Sequence, residues 1–122
     1  MSYSDITPVN YDLFNNTIGD DWRIPIPVYL SDRETVFPFT GWEGFANVES
    51  RSKDGTNVIS FSTYDGTMDL QDGKIYLIAD KDQTEQLSAG EYVWSCKFLE
   101  PVFGDLRTLI LRSRFEIVNR NG

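Results

Sequence analysis

Residues 19–30 read G-D-D-W-R-I-P-I-P-V-Y-L, and from Trp22 onward they have a strict period of two. One face of this stretch carries only apolar residues, namely Trp22, Ile24, Ile26, Val28 and Leu30. A period of two is typical of a β-strand with one buried face. Pro25 and Pro27 lie on the opposite face, and neither has the N–H group that a hydrogen-bond ladder requires. The pattern therefore predicts an edge strand that is protected against unwanted pairing.

Six further segments are predicted to be strands, at residues 42–49, 58–64, 68–70, 74–79, 91–98 and 109–117. Asp-Gly pairs, which tolerate positive φ, indicate turns between several of them. Only residues 80–87 have a helical pattern, with Asp80 as the N-cap of one or two turns. About seven short strands with turns between them predict an all-β sandwich with one short helical turn.

The last predicted strand alternates in the same way. Its two faces hold Leu109, Leu111, Phe115 and Ile117 on one side, and Ile110, Arg112, Arg114 and Glu116 on the other. The first set is expected to face the core and the second set the solvent.

The N-terminal segment has no clean periodicity. Residues 1–18 are predicted to form an arm or a leading edge strand, ahead of a single domain over residues 19–122. Tyr3, Tyr11, Leu13 and Phe14 would anchor an arm on a neighbouring protein, because a tail that orders on docking can wrap its partner. The alternative is that these four residues close one end of the sandwich.

The composition narrows the partners and the chemistry. Nineteen acidic and eleven basic residues give a net charge of −8, so neither nucleic acid nor an anionic membrane is expected as a partner. The chain has no histidine, the commonest general base and metal ligand. Its one cysteine, Cys96, shares a face with Trp94 and Phe98 and is expected to be buried and inert. We expect no enzymatic activity and no cofactor.

Carboxylates crowd in three places and raise the question of a metal site. The three groups are Asp20-Asp21, then Asp65, Asp69 and Asp72, then Asp80, Asp82 and Glu85. The middle group could supply oxygen ligands for calcium, but it lacks the dense spacing and the closing glutamate of a calcium loop. Solvated turn residues are therefore the expected interpretation, and no bound metal is predicted.

Two further groups of side chains are candidates for contacts with other molecules. The first comprises the basic residues of the last two strands, Lys97, Arg107, Arg112 and Arg114, and the apolar loop Val102-Phe103. The basic residues are expected to face solvent, to pair with Glu91 and Glu116 across the sheet, or to contact an acidic neighbour. The second group, Trp42, Tyr64 and Tyr76, would stack on sugars if exposed and would fill the core if buried. Arg112, Arg114, Val102 and Phe103 are predicted partner contacts.

Five motifs follow one another between residues 19 and 118. They are G-D-D-W-R-I-P-I, F-T-G-W-E-G-F-A-N-V-E-S-R, D-G-T-N-V-I-S-F-S-T, G-K-I-Y-L-I-A-D-K-D-Q-T-E-Q-L-S-A-G-E-Y-V-W-S and R-T-L-I-L-R-S-R-F-E-I-V. In order and spacing they resemble small tailed-phage structural proteins, namely the N-terminal domain of baseplate upper proteins and related tail-fibre-associated domains. The chain departs from that pattern at Ser88-Ala89, where a proline is common, and at residues 101–104, which are more apolar than usual.

The resemblance implies an immunoglobulin-like sandwich and a structural place in a virion assembled in the host cytoplasm. It implies a non-enzymatic tail protein, a baseplate or tail-fibre adaptor, whose partners are other phage structural proteins and other copies of itself on the particle. Two alternatives remain open. One is a capsid decoration or head-fibre protein, and the other is a carbohydrate-binding domain for host adhesion.

Overall fold

The computed structural model describes residues 10–28, 39–51, 57–102 and 104–119. Three residues with sequence predictions, Tyr3, Leu30 and Phe103, lie outside the described residues, and so do the side chains of Leu109 and Leu111. The elements are β1 Leu13–Thr17, β2 Trp22–Pro27, β3 Glu43–Ser50, β4 Asn57–Ser62, β5 Met68–Gln71, β6 Lys74–Ala79, α1 Lys81–Thr84, β7 Gly90–Leu99 and β8 Leu106–Val118.

These strands form two sheets. One has the order β1-β8-β7-β3-β4 and the other the order β2-β6-β5. All neighbouring strands are antiparallel except β1, which runs parallel to β8. The predicted all-β sandwich is confirmed, and the segments predicted as strands correspond to β2 to β8.

The core consists of the apolar faces that the alternating pattern predicts. In β7, Trp94, Cys96 and Phe98 are each at most 1% exposed. Strands of both sheets contribute further buried side chains, including Ile26, Val48, Phe61, Ile75, Leu77, Phe115 and Ile117. Each large apolar side chain removed from water stabilises the fold by about 1.5–3 kcal/mol, so these faces supply the main favourable term.

The predicted alternation of the last strand is wrong at Ile110, which is 2% exposed and packs in the core. The reason is a β-bulge: Trp94 pairs with Ser113 but Cys96 pairs with Ile110, so β8 carries one extra residue there. An extra residue reverses which side chains face inward, because the strand period is two. A second shift follows between Cys96 and Lys97.

The described part of the N-terminal segment forms an edge strand rather than a free arm. Leu13 is 8% exposed and belongs to the core. The Tyr11 backbone is fixed at both ends, since its N–H donates to Ser113 Oγ at 2.8 Å and its carbonyl accepts from Trp94 Nε1 at 2.8 Å. Asn15, at φ 62°, lies where the β1–β8 register shifts between Leu13 and Asn16.

Helix α1 begins directly after its predicted N-cap, Asp80. The Asp80 side chain accepts from the Gln83 amide, and Gln83 Oε1 accepts from the Asp80 amide, which completes a capping box. The buried Thr84 hydroxyl donates to the Asp20 carbonyl and accepts from the Gly19 amide. The helix is thereby attached to the turn that leads from β1 to β2.

Candidate partner-contact face

The sheet of five strands has an outer surface, turned away from the other sheet, that we call the contact face. It is formed by the residues that alternate with the buried ones on three strands and just beyond β3: Glu43, Phe45, Asn47, Glu49, Arg51, Glu91, Val93, Ser95, Lys97, Arg112, Arg114 and Glu116. Two of the predicted partner contacts, Arg112 and Arg114, are among them.

Three charged side chains are linked at one end of the contact face. Glu91 accepts from Arg51 at 2.8 Å through Oε2 and lies 3.2 Å from Arg114 NH2 through Oε1. The pairing of Arg114 with Glu91 agrees with one of the alternatives that the sequence left open. All three side chains are about half exposed, so each ion pair contributes at most about 1 kcal/mol. The pairs orient the guanidinium groups more than they stabilise the fold.

Arg112 differs from Arg114 in its surroundings. It is exposed and has no ion pair or hydrogen bond within the described part of the chain. It lines a small hollow of about 70 Å³ with Asn47, Glu49 and Ser95. It also lines an open cleft of about 310 Å³, whose other residues are Asn10, Asp12, Arg51, Val93, Ser113 and Arg114. A free guanidinium beside an open cleft is suited to hydrogen bonding with a carboxylate or carbonyl of another protein.

The contact face is balanced in charge although the chain is strongly acidic. It carries four basic residues, Arg51, Lys97, Arg112 and Arg114, and four acidic residues, Glu43, Glu49, Glu91 and Glu116. The excess of acid that gives the chain its charge of −8 therefore lies elsewhere. Much of it is on the turns and beside the helix, where Asp21 Oδ1 accepts from the Lys81 amide at 2.8 Å.

The structure brings only some of the predicted contact residues together. Phe14 is 50% exposed, and the Arg114 guanidinium lies 6.0 Å from the centre of its ring. Tyr11 is half-buried and packs against this chain's own core, and Leu13 is buried within that core and is not available to anchor a partner. Val102, which is 70% exposed, lies in the turn between β7 and β8, at the opposite end of β7 from Glu91.

The three aromatic candidates have three different environments. Trp42 is buried and packs edge-on against Phe39, which contradicts its interpretation as an exposed sugar platform. Tyr76 is half-buried beneath the Arg23 guanidinium, 4.3 Å from its ring centre. Tyr64 is 67% exposed and stacks against Phe45 at 5.5 Å.

Hydrogen bonds at the surface shift the pKa values of two residues, Tyr64 and Asp65. The hydroxyl of Tyr64 donates to Glu43, and this hydrogen bond raises the pKa of Tyr64. The hydroxyl and the amide of Thr67 both donate to Asp65, which lowers the pKa of that carboxyl. Burial raises the pKa of the Cys96 thiol well above its usual range, so the thiol stays protonated and unreactive.

The described part of the chain shows neither a cluster of metal ligands nor a helix that could span a membrane. Within residues 10–28, 39–51, 57–102 and 104–119, no three histidine, cysteine, aspartate or glutamate side chains converge as metal ligands. No helix in these ranges has the length and apolar character needed to span a membrane. The middle carboxylate group is engaged locally, since Asp69 accepts from Gln71 at 3.0 Å and Asp65 accepts from Thr67.

Sequence reasoning missed an ion pair between a buried carboxylate and a partly exposed guanidinium at the far end of β7. Glu100 is 2% exposed, and its Oε1 accepts from Arg107 Nε at 2.6 Å, while Oε2 has no hydrogen-bond partner among the residues that the structure describes. Arg107 was expected to face solvent, to pair with Glu91 or Glu116, or to contact an acidic neighbour. The second register shift of β8 instead places it opposite Phe98, and no local pattern in the sequence signals that shift.

Comparison with known proteins assigns no family to the chain. The sequence matches no protein-family model and no curated protein. The contact face has balanced charges, exposed arginines and an open cleft, and these features are suited to contact with another protein.

Proposed function

We propose that this protein is a non-enzymatic structural protein of a tailed-phage virion, an adaptor at the baseplate or tail fibre that acts through protein–protein contacts. The order and spacing of the five sequence motifs support this proposal. The strand order supports the immunoglobulin-like part of it. With β2 to β8 taken as strands B, C, C′, D, E, F and G, the sheets are B-E-D and G-F-C-C′, as in immunoglobulin domains.

The observation that carries the contact role is the contact face itself. It presents arginines, which are enriched in protein interfaces, around the small side chains of Asn47 and Ser95. Arg112 has no partner within the described residues, so a docking protein could pair with it without breaking an existing bond. Phe14 extends the surface at the β1 side with an exposed aromatic ring.

The deciding experiment is an electron-microscopy reconstruction of the parent virion, searched for this sandwich. Density at the baseplate or fibre attachment would support the adaptor, and density on the capsid lattice would favour a decoration or head-fibre protein instead. A particle without the protein would overturn both.

A matched pair of variants tests whether the contact face is the docking surface. Virions assembled with R112E should lose the protein, because the substitution reverses an unpaired charge at the cleft. R23E is the control, since Arg23 is an exposed arginine on the other sheet. Equal incorporation of the two variants would show that the adaptor docks elsewhere.

One observation favours the alternative of host adhesion through carbohydrate. Tyr64 is exposed, and its ring is held by Phe45 and by the hydrogen bond to Glu43, so it is a preorganised platform for a sugar. If this is its role, Y64A should abolish binding on a host glycan array while Y76A retains it. Wild-type protein that binds no host glycan would exclude this alternative.

A further inference from the structure

We propose that two copies of this chain pair face to face through the contact face, about a two-fold axis that runs along β7 over Val93. The inference names a second copy of the chain as an occupant of the same contact face. It does not depend on the virion role, because R112E tests incorporation into the virion and the variants below test self-association. It rests on the arrangement of charges across the three central strands β8, β7 and β3.

The first row of charges crosses these strands at Val93. Arg114 on β8 pairs in register with Val93, and Val93 pairs in register with Glu49 on β3. All three side chains point outward, because their neighbours Phe115, Trp94 and Val48 are buried. The row therefore reads basic, neutral, acidic, with the two charges about 9–10 Å apart on either side of β7.

The second row lies one outward position away along β7, and its charges have the opposite order. Glu116 on β8 pairs in register with Glu91, and Glu91 accepts from Arg51, which directly follows β3. The row reads acidic, acidic, basic. On each side of β7 the contact face thus carries one acidic and one basic group at matched heights.

A two-fold axis along β7 makes these rows self-complementary. Rotation about an axis that lies in the interface and runs parallel to β7 places β8 of one copy over β3 of the other. Arg114 then faces Glu49 of the second copy, and Glu116 faces its Arg51. Both contacts occur twice, because the same patch is used on both copies.

Around Val93 the residues on the axis permit close approach, and the exposed Lys97, which also lies on the axis, is at the far edge of the paired area. Val93 and Ser95 are small and half-exposed, so they meet their own copies without bulk. Glu91 also meets its own copy, but each Glu91 lies between Arg51 and Arg114 of its own chain. Two carboxylates are therefore surrounded by four guanidinium groups, which offsets their mutual repulsion.

Charge also explains why a second copy would choose this surface. A chain with a charge of −8 repels its own copies, and the repulsion is smallest where the facing surfaces are balanced. Five strands about 4.8 Å apart and about seven residues long cover roughly 550 Å² per copy. The two copies together would bury roughly 1,100 Å², just below the usual range of specific interfaces, so the expected dimer is weak and reversible.

The test exchanges the two charges of the first row between two variants. R114E places glutamate against Glu49 of its copy, and E49R places arginine against Arg114 of its copy. Each variant alone should self-associate at least about tenfold more weakly than wild type, because like charges then face each other. An equimolar mixture of the two should form a heterodimer, since both contacts are again between opposite charges. Sedimentation velocity over a concentration series measures all three samples.

Controls separate this geometry from net charge and from misfolding. R23E makes the same change in net charge on the other sheet, and Arg23 is 56% exposed against 51% for Arg114, so it should dimerise like wild type. V93R places two arginines on the axis and should also yield monomers. This variant tests the position of the axis without changing any of the ion pairs. Circular dichroism confirms that each variant is folded.

Three results would overturn the proposal. One is wild-type protein that stays monomeric up to about 1 mM, a concentration at which even millimolar affinity is visible. The second is self-association of R114E or V93R equal to that of wild type. The third is a mixture of R114E and E49R that associates no better than either variant alone.

Discussion

Two edges of this sandwich are protected against further strands in different ways. β2 forms an edge of the three-stranded sheet, and β4 forms an edge of the five-stranded sheet. In β2 the protection is in the strand itself. The Val28 amide donates to the Gly73 carbonyl of the turn between β5 and β6. The backbone N–H groups of Ile24 and Ile26 therefore also point to β6, and the backbone nitrogens of Arg23, Pro25 and Pro27 point away from the sheet. Two of the three outward positions therefore have no N–H to offer.

β4 has no proline, and its protection comes from other parts of the molecule. The Thr63 amide donates to the Gly44 carbonyl on β3. The backbone N–H groups of Ser62 and Ser60 therefore point away from β3, toward the open edge. The Ser62 amide donates to Thr67 Oγ1 at 2.9 Å. Thr67 lies in the turn that leads to β5, so a residue of this turn takes up the N–H group that another strand would need. At the other end the register with β3 shifts between Ile59 and Asn57, so one extra residue bulges there.

The comparison shows that an edge strand can be protected against pairing by its own sequence, as in β2, or by tertiary contacts, as in β4. An outward proline acts in any context that keeps the strand extended, because the donor is missing from the residue itself. The protection of β4 depends on the turn between β4 and β5, which must hold the Thr67 hydroxyl within hydrogen-bond distance of the Ser62 amide. The first protection should survive changes elsewhere, whereas the second should be lost when the β4–β5 corner is disturbed.

The largest effect is expected from adding a methyl group at Gly44, the β3 residue that holds this corner. Its amide donates to Thr63 Oγ1 at 3.2 Å. A Cβ at this position would clash with the Met68 sulfur and lie 2.8 Å from Phe98 Cε1, both buried. We expect G44A to lower the free energy of unfolding by about 2–3 kcal/mol, as overpacked cores do. Urea denaturation measures the change.

Gly66 provides the control for G44A. A Cβ there meets nothing within 4 Å, and the only cost is its positive φ of 81°. G66A should therefore cost about 1 kcal/mol through backbone strain alone. A G44A variant no less stable than G66A would show that the corner is not tightly packed.

A smaller effect is expected from removing the hydroxyl that covers β4. T67V keeps the shape of the side chain but leaves the part-buried Ser62 amide without its acceptor, which should cost about 1–2 kcal/mol. Hydrogen exchange of the Ser62 amide should accelerate by more than global destabilisation explains. T108V is the control, because Thr108 lies on β8 of the five-stranded sheet, where it pairs in register with Lys97 and not with β4. Unchanged exchange at Ser62 would mean that water or another group replaces the hydroxyl.

The same variant should change how stability depends on pH. The Thr67 hydroxyl is the main cause that lowers the pKa of Asp65, so T67V should raise that pKa toward its ordinary value. A lowered pKa contributes stability that is present above about pH 3.9 and is lost as the pH falls through the folded pKa. The stability difference between wild type and T67V should therefore narrow on acidification from pH 5 toward pH 2. An NMR titration that finds equal Asp65 pKa values in both proteins would contradict this.

The two edges also show which features the sequence can predict. The period of two and the prolines sufficed for β2, and the Asp80 capping box sufficed for the helix, because each signal lies within a few residues. The position of Ile110 could not be predicted, since a bulge depends on how β8 pairs with β7. The contact face was found only in part for the same reason. Arg112 and Arg114 were identified by their charge, but Glu49 and Arg51 join them only through strand register.

The smallest change in stability and a clear change in assembly are expected from removing the prolines of β2. P25T with P27T gives the outward edge two N–H groups that solvent can satisfy, so the free energy of unfolding should change by less than about 1 kcal/mol. The edge then offers three consecutive outward positions to another strand, and we expect species larger than those of wild type in sedimentation velocity. Q71T is the control, because it introduces the same residue type on the opposite edge strand without a new N–H. Sedimentation of the double variant that matches wild type would mean that Arg23, with its ion pair to Asp69 and its contact with Tyr76, protects this edge without the prolines.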